Sequence, residues 1–177
     1  HFVSKNNFDS KDQNSKWGAH DGVVMRKLQQ DLYNQKSPFF TTWLTLSSHE
    51  PYETPVESII KGSDNESLFL NSLHYTDTVV SEFIEHCKKQ PFWKNTLIII
   101  VADHGHRLPA SQKKINDFKI PMLWLGGAMS RPSETIATTS SQIDLPATLT
   151  KQLGMQDEKF TWSKNILAYN SHPWAYF

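Results

Sequence analysis

Asp103, His104 and His106 put three potential metal ligands within four residues, with Gly105 between them. A carboxylate next to imidazoles is a donor set for a divalent cation, and it also suits a phosphoryl site. Gly105 frees the backbone to turn at that point. The local alternative is that Asp103 opens a turn and its carboxylate caps nearby N–H groups. A second candidate is His49, in Ser47-Ser48-His49-Glu50-Pro51-Tyr52. A single loop histidine is usually just solvated. His49 gains interest because it follows an apolar stretch, as the Asp103 cluster does. Asp21 and Asp144 read differently: each precedes a helical pattern and suits an N-cap. Arg107, Lys113 and Lys114 follow the cluster and could neutralise an anionic substrate, although a solvated basic loop is the commoner explanation.

These residues need elements to hold them. Leu97 to Ala102 is apolar and mostly β-branched, as expected for a strand buried on both faces of a parallel sheet. Phe39 to Leu46 reads as a second strand and 121–125 as a third, with Pro121 near its start marking an edge or entry position and Gly126-Gly127 ending it. Ligands in open α/β sheets bind beyond the carboxyl ends of strands. If the first two strands are parallel, His49 and Asp103 open on one edge. A helix over 66–88 should connect them as a right-handed βαβ crossover, burying Leu70, Leu73, Val80, Ile84 and Cys87 and exposing His74, Asp77 and Glu85. An earlier helix carries Val24, Met25, Leu28 and Leu32 behind Asp21. A later one runs from Leu145 to Leu153, with Pro146 in its first turn and Gly154 after its end. Thr135 to Thr139 is a candidate short strand. The fold class is therefore α/β, a three-layer sandwich with a mostly parallel sheet.

The chain has 177 residues, enough for one core, and formal net charge +0. That balance gives no electrostatic footprint for nucleic acid. A lone cysteine, Cys87, excludes an internal disulfide and a thiolate zinc site. No apolar run reaches the roughly 20 residues of a membrane span. The start without methionine and the aromatic run 173–177 suggest a piece cut from something longer.

Several segments, taken together and in order, resemble a known family. They are Trp17-Gly18-Ala19-His20-Asp21, Leu46-Ser47-Ser48-His49-Glu50-Pro51-Tyr52, Tyr75-Thr76-Asp77, Trp93-Lys94-Asn95-Thr96 leading into Val101-Ala102-Asp103-His104-Gly105, Ile120-Pro121-Met122-Leu123, and Ser141 to Leu149. This set resembles the C-terminal half of the sulfatase-like catalytic domain of lipoteichoic acid synthase and related phosphoglycerol transferases, in the alkaline phosphatase superfamily. The resemblance implies that Asp103 and His104 ligate a divalent metal, commonly manganese, with magnesium, calcium or zinc as alternatives. It implies that His49 sits near the substrate phosphate and serves catalysis. Residues 1–177 would be the C-terminal portion of one domain. The remaining ligands, the nucleophile and any membrane anchor would lie upstream, so this piece alone is expected to be inactive. A sheet without its other strands is expected to self-associate. Substrates would be phosphoglycerol- or sulfate-bearing lipids or glycans at the extracytoplasmic face of a bacterial membrane.

Two other readings compete. A Ser-His-Asp hydrolase lacks support, because no Gly-x-Ser-x-Gly elbow occurs. A non-catalytic binding or scaffold domain of the same fold is the alternative from a different class.

Overall fold

A computed structural model describes residues 1–110, 113–131, 133–156 and 159–175. The chain divides into two compact units, His1–Met129 and Ser130–Phe177.

The first unit is built on two helices, α1 (Asp21–Tyr33) and α2 (Asn65–Lys88). Asp64 caps α2, its carboxylate accepting the Ser67 N–H at 3.0 Å. The core between the helices consists of Met25, Leu32, Tyr75, Val79, Phe83 and Cys87. At Gly22 the absence of a side chain leaves room for α2: a Cβ there would lie 2.8 Å from the Tyr75 hydroxyl. That hydroxyl instead accepts the Gly22 N–H at 3.1 Å. The buried face of α2 thus differs from the expected aliphatic stripe. Phe69, Ser72, Tyr75, Val79, Phe83 and Cys87 are buried, whereas Leu73 is 39% exposed. The stripe is turned by about one residue because aromatic rings, with more surface to bury, take the inward positions. His74, Asp77 and Glu85 are exposed as expected.

The sheet also differs from expectation. Ile98–Val101 forms β1 and Met122–Leu125 forms β2. They pair antiparallel, from Ile98 opposite Leu125 to Val101 opposite Met122. Residues 39–46 carry no strand, so the expected parallel pairing with β1 is absent among the described residues, and so is the βαβ crossover built on it. The residue types suit a strand, but strand formation depends on a neighbour to complete the ladder. This segment is held by side chains instead. Trp43 packs edge-on to Phe83 (5.5 Å) and Phe39 to Phe92 (6.1 Å), while Phe40 and Leu44 face outward. Its last amides go to a carboxylate rather than to a strand.

In the second unit, α3 spans Leu145–Gln152, with Pro146 in its first turn as expected. Asp144 is fully buried and structural. It accepts the N–H groups of Ser141 (2.9 Å) and Lys164 (3.0 Å) and pairs with the Lys164 ammonium at 2.6 Å. Lys164 also lies over the Trp174 ring at 4.2 Å, which folds the aromatic tail back onto this pair. Tyr176 and Phe177, the end of that aromatic run, lie outside the described residues. Residues 135–139 carry no strand. No described helix is long and apolar enough to cross a membrane.

Candidate functional site

Asp103 and His104 lie just past the end of β1, where the chain leaves the sheet. Both side chains are open to solvent, 74% and 70% exposed. Asp103 Oδ1 accepts the backbone N–H of His104 at 3.0 Å, which fixes the carboxylate. His104 Nδ1 lies 2.6 Å from the Gly105 carbonyl. A carbonyl only accepts, so Nδ1 carries the proton and Nε2 keeps its lone pair. Nε2 lies 3.8 Å from Asp103 Oδ2. Two donors each about 2.1 Å from one ion are at most about 4.2 Å apart, so the pair fits a shared divalent cation. The Nδ1–H bond to a backbone carbonyl is also how metal-ligating histidines are usually oriented. Among the described residues no group of three or more His, Cys, Asp and Glu side chains converges. The pair therefore supplies two donors here.

Gly105 is required by packing. A side chain there would collide with the Asp117 carbonyl, because the backbone of 117–118 lies against it. Residues 117–118 thus fold back against this turn. Arg107, Lys113 and Lys114, in the polar connection after β1, are exposed.

His106, a potential ligand by spacing, is occupied differently. Its Nδ1 lies 3.0 Å from the Leu108 N–H and 3.3 Å from the Leu108 carbonyl, and its Nε2 approaches the Tyr52 hydroxyl at 3.4 Å; the shorter Leu108 contact favours Nδ1 as acceptor and Nε2 as donor. The ring stacks on Phe69 at 4.1 Å. Both nitrogens serve the fold, which removes His106 from the candidate ligands.

His49 is exposed at the head of a tight turn, with its carbonyl accepting the Tyr52 N–H at 2.8 Å. Its Nδ1 donates to the Glu50 carbonyl (3.0 Å), leaving the Nε2 lone pair outward. The Trp17 indole N–H donates to the same carbonyl (2.8 Å), and its ring meets the His49 ring edge-on at 4.8 Å. The turn carrying His49 is thus joined to the segment carrying Asp103 and His104 through Tyr52 and His106.

Asp21 supplies the other anchor, in a role that the sequence reading missed. His20, not Asp21, is the N-cap of α1. The Asp21 carboxylate is fully buried and accepts the N–H groups of Leu46 (2.8 Å) and Ser47 (2.9 Å), with the Thr76 hydroxyl at 3.3 Å. Ser47 Oγ in turn accepts the Asp21 N–H at 3.0 Å. Local spacing could not reveal this, because the partners are 25 and 26 residues away. Beside it, burial pushes the His20 imidazole below its ordinary 6.5, against the opposing pull of Glu53 and Asp21. Among the described residues its buried Nδ1 has no hydrogen-bond partner.

The sequence profile of the Sulfatase family matches residues 1–155. Among curated proteins, the chain is 21% identical to "Lipoteichoic acid synthase-like YvgJ" of Bacillus subtilis, over 90% of this chain and 29% of that protein. It is 27% identical to "Phosphoglycerol transferase I" of Xanthomonas axonopodis pv. citri, over 91% and 24%. The chain thus spans about a quarter of the length of the curated relatives it matches. Among solved structures, a protein of the alkaline phosphatase superfamily from Vibrio parahaemolyticus superposes with a TM-score of 0.77 at 25% identity, covering 96% of this chain and 42% of that one. The lipoteichoic acid synthase LtaP of Listeria monocytogenes gives 0.68 at 21% identity, covering 92% and 46%, a likeness of fold. The α/β fold is that of the alkaline phosphatase superfamily, present here as part of a domain. With the profile matched over most of its length, the chain belongs to the Sulfatase family.

Proposed function

We propose that this chain is the C-terminal portion of a metal-dependent phosphoglycerol transferase domain, acting on phosphate esters of cell-envelope glycolipids or glycans at the outer face of a bacterial membrane. The observation that carries the reading is the convergence of Asp103 Oδ2 and His104 Nε2 beyond β1, 3.8 Å apart and open to solvent. The names of the relatives support transfer of phosphoglycerol over sulfate ester hydrolysis.

Asp103 and His104 would hold a divalent cation, and manganese is the proposed ion. When bound, it would polarise a phosphoryl oxygen and favour ionisation of a hydroxyl nucleophile. Asp103 brings the negative charge, and His104 brings a neutral nitrogen whose ring is oriented by Gly105. His49 presents its Nε2 outward while Trp17 and the Glu50 carbonyl hold the ring. From there it donates to a phosphate oxygen when protonated, or moves a proton at the leaving group.

The test uses three variants of the intact protein, each followed by metal analysis and by turnover of a phosphoglycerol substrate. Asp103→Asn and His104→Ala should lose metal and lower turnover by about 10²-fold or more, with partial rescue by excess manganese. His49→Ala should keep the metal and still lose turnover. Full activity in Asp103→Asn would sink the metal reading, and metal loss in His49→Ala would move His49 from substrate to ion. A wild-type protein that binds neither metal nor substrate would leave the scaffold reading in possession.

A further inference from the structure

The least expected backbone in the first unit is at Tyr52, which has φ 66°. A bulky residue rarely adopts the left-handed region, and such strain persists only where surrounding contacts impose it. The contacts here are specific. Tyr52 meets Phe69 edge-on at 5.4 Å and His106 edge-on at 6.3 Å, and Phe69 and His106 stack face to face. The strained residue therefore closes a three-ring cluster that spans the His49 turn, α2 and the segment after β1.

The hydrogen bonds give this cluster a direction. His106 Nδ1 lies 3.0 Å from the Leu108 nitrogen and 3.3 Å from the Leu108 carbonyl oxygen; with the shorter contact as the hydrogen bond, Nδ1 accepts and the Nε2–H is presented to the Tyr52 hydroxyl. At 3.4 Å that contact is long, and the ring packing holds it in register. We propose that Tyr52 and His106 form a latch that positions His49 against the Asp103–His104 pair, making both of them positioning residues for the transfer reaction. The inference rests on the phosphoglycerol transferase reading above. His106 touches neither the candidate ion nor the substrate; it acts through Tyr52 on the turn that begins at His49.

The two ring nitrogens of His106 can be tested separately. An asparagine keeps a polar atom near the Nδ1 position, where it accepts from Leu108, and loses the reach to Tyr52. A glutamine keeps an N–H near the Nε2 position and loses the Leu108 bond. In the intact protein, Tyr52→Phe and His106→Asn should each lower kcat by about tenfold to a hundredfold, the range that small misplacements of a reacting group produce. KM and metal content should stay close to wild type. His106→Gln should retain kcat within a few-fold, and the double variant Tyr52→Phe/His106→Asn should be no worse than the single ones. The His49 ring-proton NMR signals should also shift in Tyr52→Phe, a readout that needs no turnover. A purely structural role would instead lower stability alike in both His106 variants and leave kcat per folded molecule unchanged, overturning the proposal. Unshifted His49 signals in Tyr52→Phe would do the same. If Asp103→Asn keeps full activity, the functional reading itself fails; if His49→Ala alone keeps full turnover, the His49 role and the latch fail together. If His49→Ala loses turnover while Tyr52→Phe and His106→Asn do not, only the latch fails.

Discussion

Replacing Asp21 by asparagine keeps the shape of a fully buried side chain but turns one of its two acceptor oxygens into a donor. In the native protein each oxygen accepts a backbone N–H, at 2.8 Å from Leu46 and 2.9 Å from Ser47. Hydrogen bonds to a charged group contribute roughly 1.5–3 kcal/mol each, and a buried N–H left unpaired costs about 1–3 kcal/mol. Asparagine can satisfy only one of the two amides and turns an N–H toward the other. The expected loss is about 2–4 kcal/mol, a large share of the roughly 5–15 kcal/mol that holds a domain folded. For a chain of this size that lowers the melting temperature by roughly 4–16 °C. Thermal unfolding by circular dichroism measures the first quantity, and hydrogen exchange at the Leu46 and Ser47 amides localises it. Asp31→Asn is the control: its partner Lys27 is 3.0 Å away but both side chains are about one-third exposed, so the change should stay within about 0.5 kcal/mol. An Asp21→Asn protein that melts within a degree of wild type, with both amides still protected, would refute the reasoning.

Further outcomes follow from two buried titratable groups. Because the folded-state pKa of His20 is depressed, the unfolded chain binds more protons below its ordinary 6.5, so stability falls as pH drops through that value. His20→Asn should flatten the slope of melting temperature against pH just below 6.5, and an unchanged slope would show that His20 does not titrate there. Burial pushes the Cys87 thiol up to about 11, so native protein near neutral pH should not react with thiol reagents, whereas protein in denaturant should. For the same reason stability should decline as pH rises above the ordinary 9.0, since the unfolded thiol ionises first.

The helices were legible in the sequence because their signals are local. Pro146 in the first turn of α3 and Gly154 after it act within a few residues. The end of β1, and hence the position of Asp103 and His104, was legible for the same reason: an apolar β-branched run stops abruptly at a polar turn. The sheet was not legible. Phe39 to Leu46 has the composition of a strand, but composition does not specify a partner, and aromatic packing on α2 holds the segment instead. The same limit hid Asp21. A buried carboxylate ahead of a helix and an N-cap look identical until the distant amides it receives are known. His106 was visible as a residue but not by its contacts, because Tyr52 and Phe69, which it meets, are distant in the chain, Tyr52 by 54 residues.

The segment from Leu46 to Glu53 is pinned at several points along a short length. Asp21 holds its start, Trp17 its middle, His106 its Tyr52, and the Lys16 N–H its Glu53 at 2.8 Å. These ties close chain separations of 25, 33, 54 and 37 residues. Loop-closure entropy grows only with the logarithm of length, and the first tie bears most of it. Once one of the ties to residues 16–21 forms, the other two close over only a few residues, whereas the His106 tie closes its own loop. The three ties to residues 16–21 therefore assemble and release together, and release of any one is opposed by the other two. Under the proposed role of His49, an incoming substrate would meet a turn already in place rather than one that folds over it. Association should then follow diffusion and charge, without a slow conformational step at His49.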